Sequence, residues 1–132
     1  MAATQEPDMP LIPPPLSLYV HIPWCVRKCP YCDFNSHAQN ATLPVDDYVA
    51  ALLADLDRDL SSYGEAIAGR AIHSVFFGGG TPSLFQPDAI ARILDGVAAR
   101  IALPRDAEVT LETNPGAVEH GRFAGYRAAG VN

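Results

Sequence analysis

Apolar positions along the chain alternate between short continuous runs and helically spaced stripes. Leu16–Ile22 (LSLYVHI) is apolar and β-branched towards its end, and Pro23 stops it, so it reads as a short buried strand. Polar residues 35–44 connect it to a stripe formed by Tyr48, Val49, Leu52, Leu53, Leu56 and Leu60. Their three- and four-residue steps predict an amphipathic helix over 45–63 with Asp55, Arg58 and Asp59 outward. Asp46 or Asp47 is its expected cap and Gly64 its stop. A second strand is expected at Ala71–Phe77, followed by a sharp turn at Gly78–Ser83. Pro87-Asp88 opens a second helix to about Ile101, with Ile90, Ile93, Leu94 and Val97 on one face. Glu108–Glu112 reads as a third strand and Thr113–Gly116 as a turn. A third helix runs from about Val118 to Ala129 with Phe123 and Tyr126 inward, Gly130 breaks it, and Val131-Asn132 reads as the start of a fourth strand.

Strand followed by helix, three times over, predicts an α/β fold: a parallel sheet with flanking helices and right-handed crossovers. Three such units leave the last strand's edge unpaired, which predicts that the chain is a fragment of a longer protein. Five prolines within residues 1–15 deny that stretch helix and ladder hydrogen bonds, so it is expected to be a disordered or polyproline-like leader, with 16–132 as the structured part.

Composition narrows the functional classes. The 132 residues amount to one domain at most, and 48% hydrophobic content is enough for a core. A net charge of −6 argues against nucleic-acid binding. No apolar run is long enough for a membrane span and the N-terminus does not read as a signal peptide, so no direct membrane insertion and a cytoplasmic location are expected. The cysteines, odd in number and clustered, fit metal binding in a reducing compartment better than disulfides.

All three cysteines, Cys25, Cys29 and Cys32, lie directly after the first strand with spacing C-x3-C-x2-C. A closed zinc site takes four protein ligands. A fully protein-held cubane cluster takes four cysteines. Three thiolates therefore leave one iron of a 4Fe-4S cluster open to another ligand. The other reading is a zinc-binding structural module completed by His21 or His37.

The cysteine loop after an apolar strand resembles that of the radical S-adenosylmethionine (radical SAM) superfamily. The wider run Tyr19–His37, YVHIPWCVRKCPYCDFNSH, resembles the branch containing HemW-like heme chaperones and oxygen-independent coproporphyrinogen III oxidases. The oxidase pattern carries a further cysteine two residues after the third; Phe34 stands there, as in the HemW-like proteins. The resemblance covers Leu16 to Asn132 and implies the N-terminal half of a partial (β/α)6 barrel. It implies a 4Fe-4S cluster on Cys25, Cys29 and Cys32 with S-adenosyl-L-methionine on the open iron. In such enzymes the reduced cluster passes an electron to the sulfonium, releasing methionine and a 5′-deoxyadenosyl radical. For the HemW-like branch the implied role is a chaperone that binds heme as cargo and transfers it to heme-accepting proteins. The alternative is oxidative decarboxylation of coproporphyrinogen III in porphyrin metabolism.

Further residues take roles from the same resemblance. Gly78-Gly79-Gly80-Thr81-Pro82 lets backbone approach a ligand closely but lacks the spacing and lysine of a nucleotide phosphate loop. It resembles the GGGTP motif that meets the methionine amino group, which assigns that contact to Gly79, Gly80 and Thr81. Glu112, in a segment matching E-x-N-P-G, is assigned to the cofactor's ribose or ammonium. Tyr31 is assigned to the adenine side, with plain packing beside the cluster as its other reading. Tyr19 reads either as a cofactor contact or as a core aromatic. His21 reads as a hydrogen-bonded histidine, with iron ligation as the other reading.

Overall fold

The computed structural model describes residues 9–25, 37–38, 43–113 and 120–132. Strand β1, Leu16–Ile22, ends where Pro23 removes a ladder donor. Two short strands, β2 (Trp24–Cys25) and β3 (His37–Ala38), pair in parallel. They bring together the chain on either side of the segment that carries Cys29 and Cys32, which lies outside the described residues. Helix α1 covers Val45–Ser62, a one-turn helix α2 covers Gly64–Ile67, and strand β4 covers Ile72–Gly79. A 3-10 turn at Pro82–Leu84 leads to α3 (Pro87–Ala98), β5 (Glu108–Leu111) and α4 (His120–Ala129).

The main sheet is parallel, with order β1-β4-β5. Val20, Ile22, Val75, Phe77 and Val109 pack with Ile90, Ile93 and Val97 of α3 and Tyr126 of α4 in one core. Burying each such aliphatic or aromatic side chain contributes about 1.5–3 kcal/mol. Register places the alternate positions together on the other face: Ser17 beside Ser74, Tyr19 beside Phe76, and Phe76 beside Thr110. Ser17 and Ser74 share a hydroxyl hydrogen bond of 2.8 Å, and the Tyr19 and Phe76 rings stack with centroids 6.2 Å apart. Tyr19 remains 55% exposed and Phe76 40%, so this face is outside the core of the described residues.

Several boundaries differ from the sequence expectation. Gly64 does not stop helical structure but begins α2. Neither Asp46 nor Asp47 caps α1; Pro44 holds the cap position and both acids sit in the first turn, where they complement the helix dipole. Asp46 instead pairs with Arg92 at 2.8 Å, an exposed bridge worth about 0–1 kcal/mol. Strand β4 begins at Ile72 and runs on into Gly78-Gly79, because the ladder with β1 continues through them. Helix α3 ends at Ala98 rather than Ile101, and beyond it the Ala102 carbonyl accepts from Ile72 N–H at 2.9 Å.

The third strand ends at Leu111, although Glu112 N–H still donates to the Phe77 carbonyl at 3.1 Å. Phe123 is 47% exposed, not inward. The inward stripe of α4 is Arg122, Gly125, Tyr126 and Ala129, at steps that leave Phe123 about 100° away around the helix. The predicted start of α4 at Val118 and most of the turn before it lie outside the described residues. Val131-Asn132 forms no strand, yet it reaches the edge of β5. Asn132 N–H donates to the Val109 carbonyl at 3.0 Å, and the Asn132 side-chain oxygen accepts from Val109 N–H at 2.9 Å.

Truncating Phe77, which is fully buried, is expected to cost about 3–5 kcal/mol. Phe123→Ala is expected to stay within about 0.5 kcal/mol, because its side chain is half exposed. Denaturant unfolding of the two variants measures both.

Candidate functional site

The site is built where β1, β4 and β5 finish. In a parallel sheet these carboxyl ends lie side by side and turn into loops, which is where such sheets collect ligands. β1 passes through Pro23 to Trp24 and Cys25. β4 passes through Gly79 to Gly80 and Thr81, and β5 passes to Glu112.

Two backbone hydrogen bonds join the first two of these ends. Gly80 N–H donates to the Ile22 carbonyl and Thr81 N–H to the Trp24 carbonyl, both at 2.7 Å. A side chain at Gly80 would have no space: its Cβ would lie 2.4 Å from the Trp24 oxygen and 3.0 Å from Cys25 Sγ. The glycine loop therefore lies directly against the thiol that opens the cysteine motif. Gly79 has φ +112°, a conformation that side chains rarely adopt, and a Cβ there would strike the His21 ring at 2.7 Å. Thr81, Pro82 and Ser83 are buried, so the loop is fixed from below.

Aromatic packing holds the other side of Trp24. Its ring meets Tyr48 edge-on, with centroids 4.7 Å apart, and stacks on Phe85 at 6.0 Å. Tyr48 also donates its hydroxyl to the His21 carbonyl at 2.5 Å, tying α1 to the end of β1. These supporting aromatics were not singled out in the sequence, where Tyr48 reads simply as one of the apolar positions on α1. The signal was there only in part: Trp24 adjoins the first cysteine.

On the exposed face, the Tyr19 hydroxyl and His21 Nδ1 lie 2.9 Å apart in a hydrogen bond. His21 is thus the hydrogen-bonded histidine of the first reading. Tyr19 is exposed on this face and does not pack into the core of the described residues. Partial burial of its phenol and, second, the Glu112 carboxylate raise the Tyr19 pKa above the ordinary 10.0. That coupling puts Glu112 within electrostatic reach of Tyr19, so two of the predicted site residues come from different strands to one rim. The phenol stays protonated and able to donate throughout the physiological range.

Of the predicted site residues, Cys25, Tyr19, Gly79, Gly80, Thr81 and Glu112 converge at this end of the sheet. Cys29, Cys32 and Tyr31 lie outside the described residues. Among the described residues no three His, Cys, Asp or Glu side chains gather as a metal site. An apolar cavity of about 340 Å³ lies at the other end of the strands around Leu16, Leu56, Leu60 and Ile72. It contains none of the predicted site residues. No described helix is long and apolar enough to cross a membrane.

The model of the radical SAM superfamily matches residues 19–132. The chain belongs to this superfamily. Radical SAM proteins generally hold a 4Fe-4S cluster and S-adenosylmethionine, and the Cys25 thiol beside a glycine cradle that a single Cβ would fill fits such a pair. The radical SAM chain is 59% identical over 119 residues to the heme chaperone HemW of Escherichia coli, covering 90% of this chain and 30% of that protein. It is 55% identical over 118 residues to the heme chaperone HemW of Haemophilus influenzae, covering 89% of this chain and 31% of the relative. Its fold matches the solved structure of the radical SAM enzyme coproporphyrinogen III oxidase (HemN) from Escherichia coli. The TM-score is 0.73 at 31% identity, over 89% of this chain and 26% of the other. The chain thus spans less than a third of each of these proteins.

Gly80→Ala is expected to push the Trp24 carbonyl and Cys25 away and to abolish most iron retention after anaerobic reconstitution. Gly64→Ala, where nothing lies within 4 Å of the added carbon, is expected to leave iron content unchanged. Glu112→Gln is expected to lower the Tyr19 pKa back towards 10.0, because it removes the neighbouring negative charge. The sign follows from linkage: a raised phenol pKa stabilises the fold below 10.0 and that contribution is lost as pH rises through the folded value. A phenolate absorbance titration against a Tyr19→Phe control reads the shift.

Proposed function

We propose that the protein containing this chain is a HemW-like heme chaperone that binds heme and passes it to acceptor proteins. The observation that carries the reading is the contact of the glycine loop with Cys25, whose Sγ lies 3.0 Å from the position of a Gly80 Cβ. It couples a thiol ligand to a close-approach loop at the ends of parallel strands. Cys25, Cys29 and Cys32 hold the cluster in this reading. Gly79, Gly80 and Thr81 meet the methionine amino group of S-adenosylmethionine, Glu112 the ribose or ammonium by charge-assisted bonds, and Tyr31 the adenine side. Tyr19 hydrogen-bonds at the same rim. When bound, the reduced cluster supplies one electron to the sulfonium.

The chain's own residues supply placement. The hydrogen bonds from Gly80 and Thr81 use their N–H groups on the neighbouring strand end, which keeps that backbone close to Cys25. Trp24, Tyr48 and Phe85 pack against one another next to Cys25 and keep water from that side in this reading. A cysteine ladder lacking its oxidase-type extra member, with Phe34 in that position, supports cargo binding over porphyrinogen oxidation. The relatives named heme chaperones, at 59% and 55% identity, support the same choice.

The test uses the full-length protein after anaerobic reconstitution. About four irons and four sulfides per chain are expected, lost in Cys25→Ala. Stoichiometric heme binding without turnover of coproporphyrinogen III is expected. Porphyrinogen turnover favours the oxidase instead, and one tightly held zinc without sulfide favours a structural metal module.

A further inference from the structure

The 3-10 turn after the glycine loop is held from both ends, and one of the hands belongs to α4. At its start, Thr81 N–H is bonded to the Trp24 carbonyl. Within it, only short-range bonds close the chain: Leu84 N–H to the Thr81 carbonyl and Phe85 N–H to the Pro82 carbonyl, both 3.0 Å. The remaining grip comes from two side chains of α4. Arg122 Nη1 donates to the Ser83 carbonyl at 3.0 Å. The Tyr126 hydroxyl lies 2.9 Å from the same carbonyl and 2.6 Å from that of Phe85.

The Tyr126 contacts are buried and the Arg122 contact partly so. Tyr126 is 2% exposed and Ser83 fully buried. Gly125, between the two donors on the inward stripe, lets α4 approach the start of α3: a Cβ there would lie 2.6 Å from Pro87 Cγ. Burial raises the Tyr126 pKa, with the Arg122 guanidinium opposing it, so the hydroxyl remains a donor at neutral pH. In the chain, α4 follows the segment that begins at Glu112. Through the Ser83 and Phe85 carbonyls it is therefore tied to the turn that directly follows Gly79–Thr81.

We propose that Arg122 and Tyr126 are positioning residues that set the glycine loop for S-adenosylmethionine, acting through the backbone of Ser83 and Phe85. This rests on the cofactor reading above. Removing either donor leaves a buried carbonyl short of a partner and lets the 81–85 turn shift, which displaces Gly79–Thr81 without touching a cluster ligand.

The experiment compares Tyr126→Phe, Arg122→Ala and Arg122→Lys in the full-length, anaerobically reconstituted protein. It measures iron content, melting temperature and the dissociation constant for S-adenosylmethionine, read from the change in the cluster's paramagnetic signal. Val97→Ala, in the core of α3 and away from the turn, is the control for general destabilisation. Tyr126→Phe and Arg122→Ala are expected to keep their iron but bind S-adenosylmethionine about tenfold more weakly, with Arg122→Lys partly restored. Val97→Ala is expected to lower the melting temperature and leave binding unchanged. Because Arg122 is only half-buried, its variants decide the matter even where Tyr126→Phe does not fold. Wild-type affinity in the Arg122 variants, or equal weakening by Val97→Ala, overturns the proposal. A wild-type cluster that does not respond to S-adenosylmethionine overturns the cofactor reading itself, and the positioning role with it.

Discussion

The candidate site depends on one backbone-to-backbone contact. Gly80 and Thr81 donate to the carbonyls of Ile22 and Trp24, and the absence of a Cβ at Gly80 lets the two strand ends close to that distance. The contact costs nothing in side-chain entropy, because no rotamer is fixed to make it. It also tolerates no enlargement, since the atoms nearest Gly80 are the main-chain oxygen and carbon of Trp24, which cannot rotate away as a flexible side chain would. Cys25, the glycine loop and the end of β1 consequently pack together in one close-fitting body.

Everything else supports that body from one side. Parallel pairing aligns the strand ends, and the apolar face of the sheet settles on α1, α3 and α4. Tyr48 reaches from α1 to the His21 carbonyl, Phe85 from the turn to Trp24, and Tyr126 from α4 to the turn. Helices α1 and α4 thus contribute both core burial and a specific tie near the site. The opposite face has different chemistry. Side chains that alternate away from the helices cannot enter the core, and here they are hydroxyls and stacked aromatics rather than aliphatic groups. Parallel sheets are ordinarily covered on both faces, which in a barrel is met by closing that second face inward.

Much of this was legible in the residue pattern because it rests on local rules. Short apolar runs and three-to-four-residue spacing located the strands and helices, Pro23 and Gly130 punctuated them, and C-x3-C-x2-C with GGGTP marked the superfamily. Errors fell where a long-range bond competes with a local preference. Strand β4 continued through two glycines because β1 lay alongside. Phe123 was misplaced because hydrophobicity alone does not reveal which stripe of a short helix faces inward; Gly125 against Pro87 and Tyr126 against Ser83 chose it.

By itself, then, the sequence determined the alternation of strands and helices, the superfamily motifs and the identity of the thiols, since each depends on neighbours a few positions apart. Tertiary structure alone decided that Tyr19 is exposed and linked to His21, that Glu112 reaches Tyr19 electrostatically, and that Gly80 abuts Cys25. Tyr19 and His21 are alternate positions of one strand, while the other two relations join separate strand ends 93 and 55 positions apart along the chain. Their distances are set by strand register and by which face packs on helices. A one-position slip in that register would turn Tyr19 inward and separate the same residues with no change in composition.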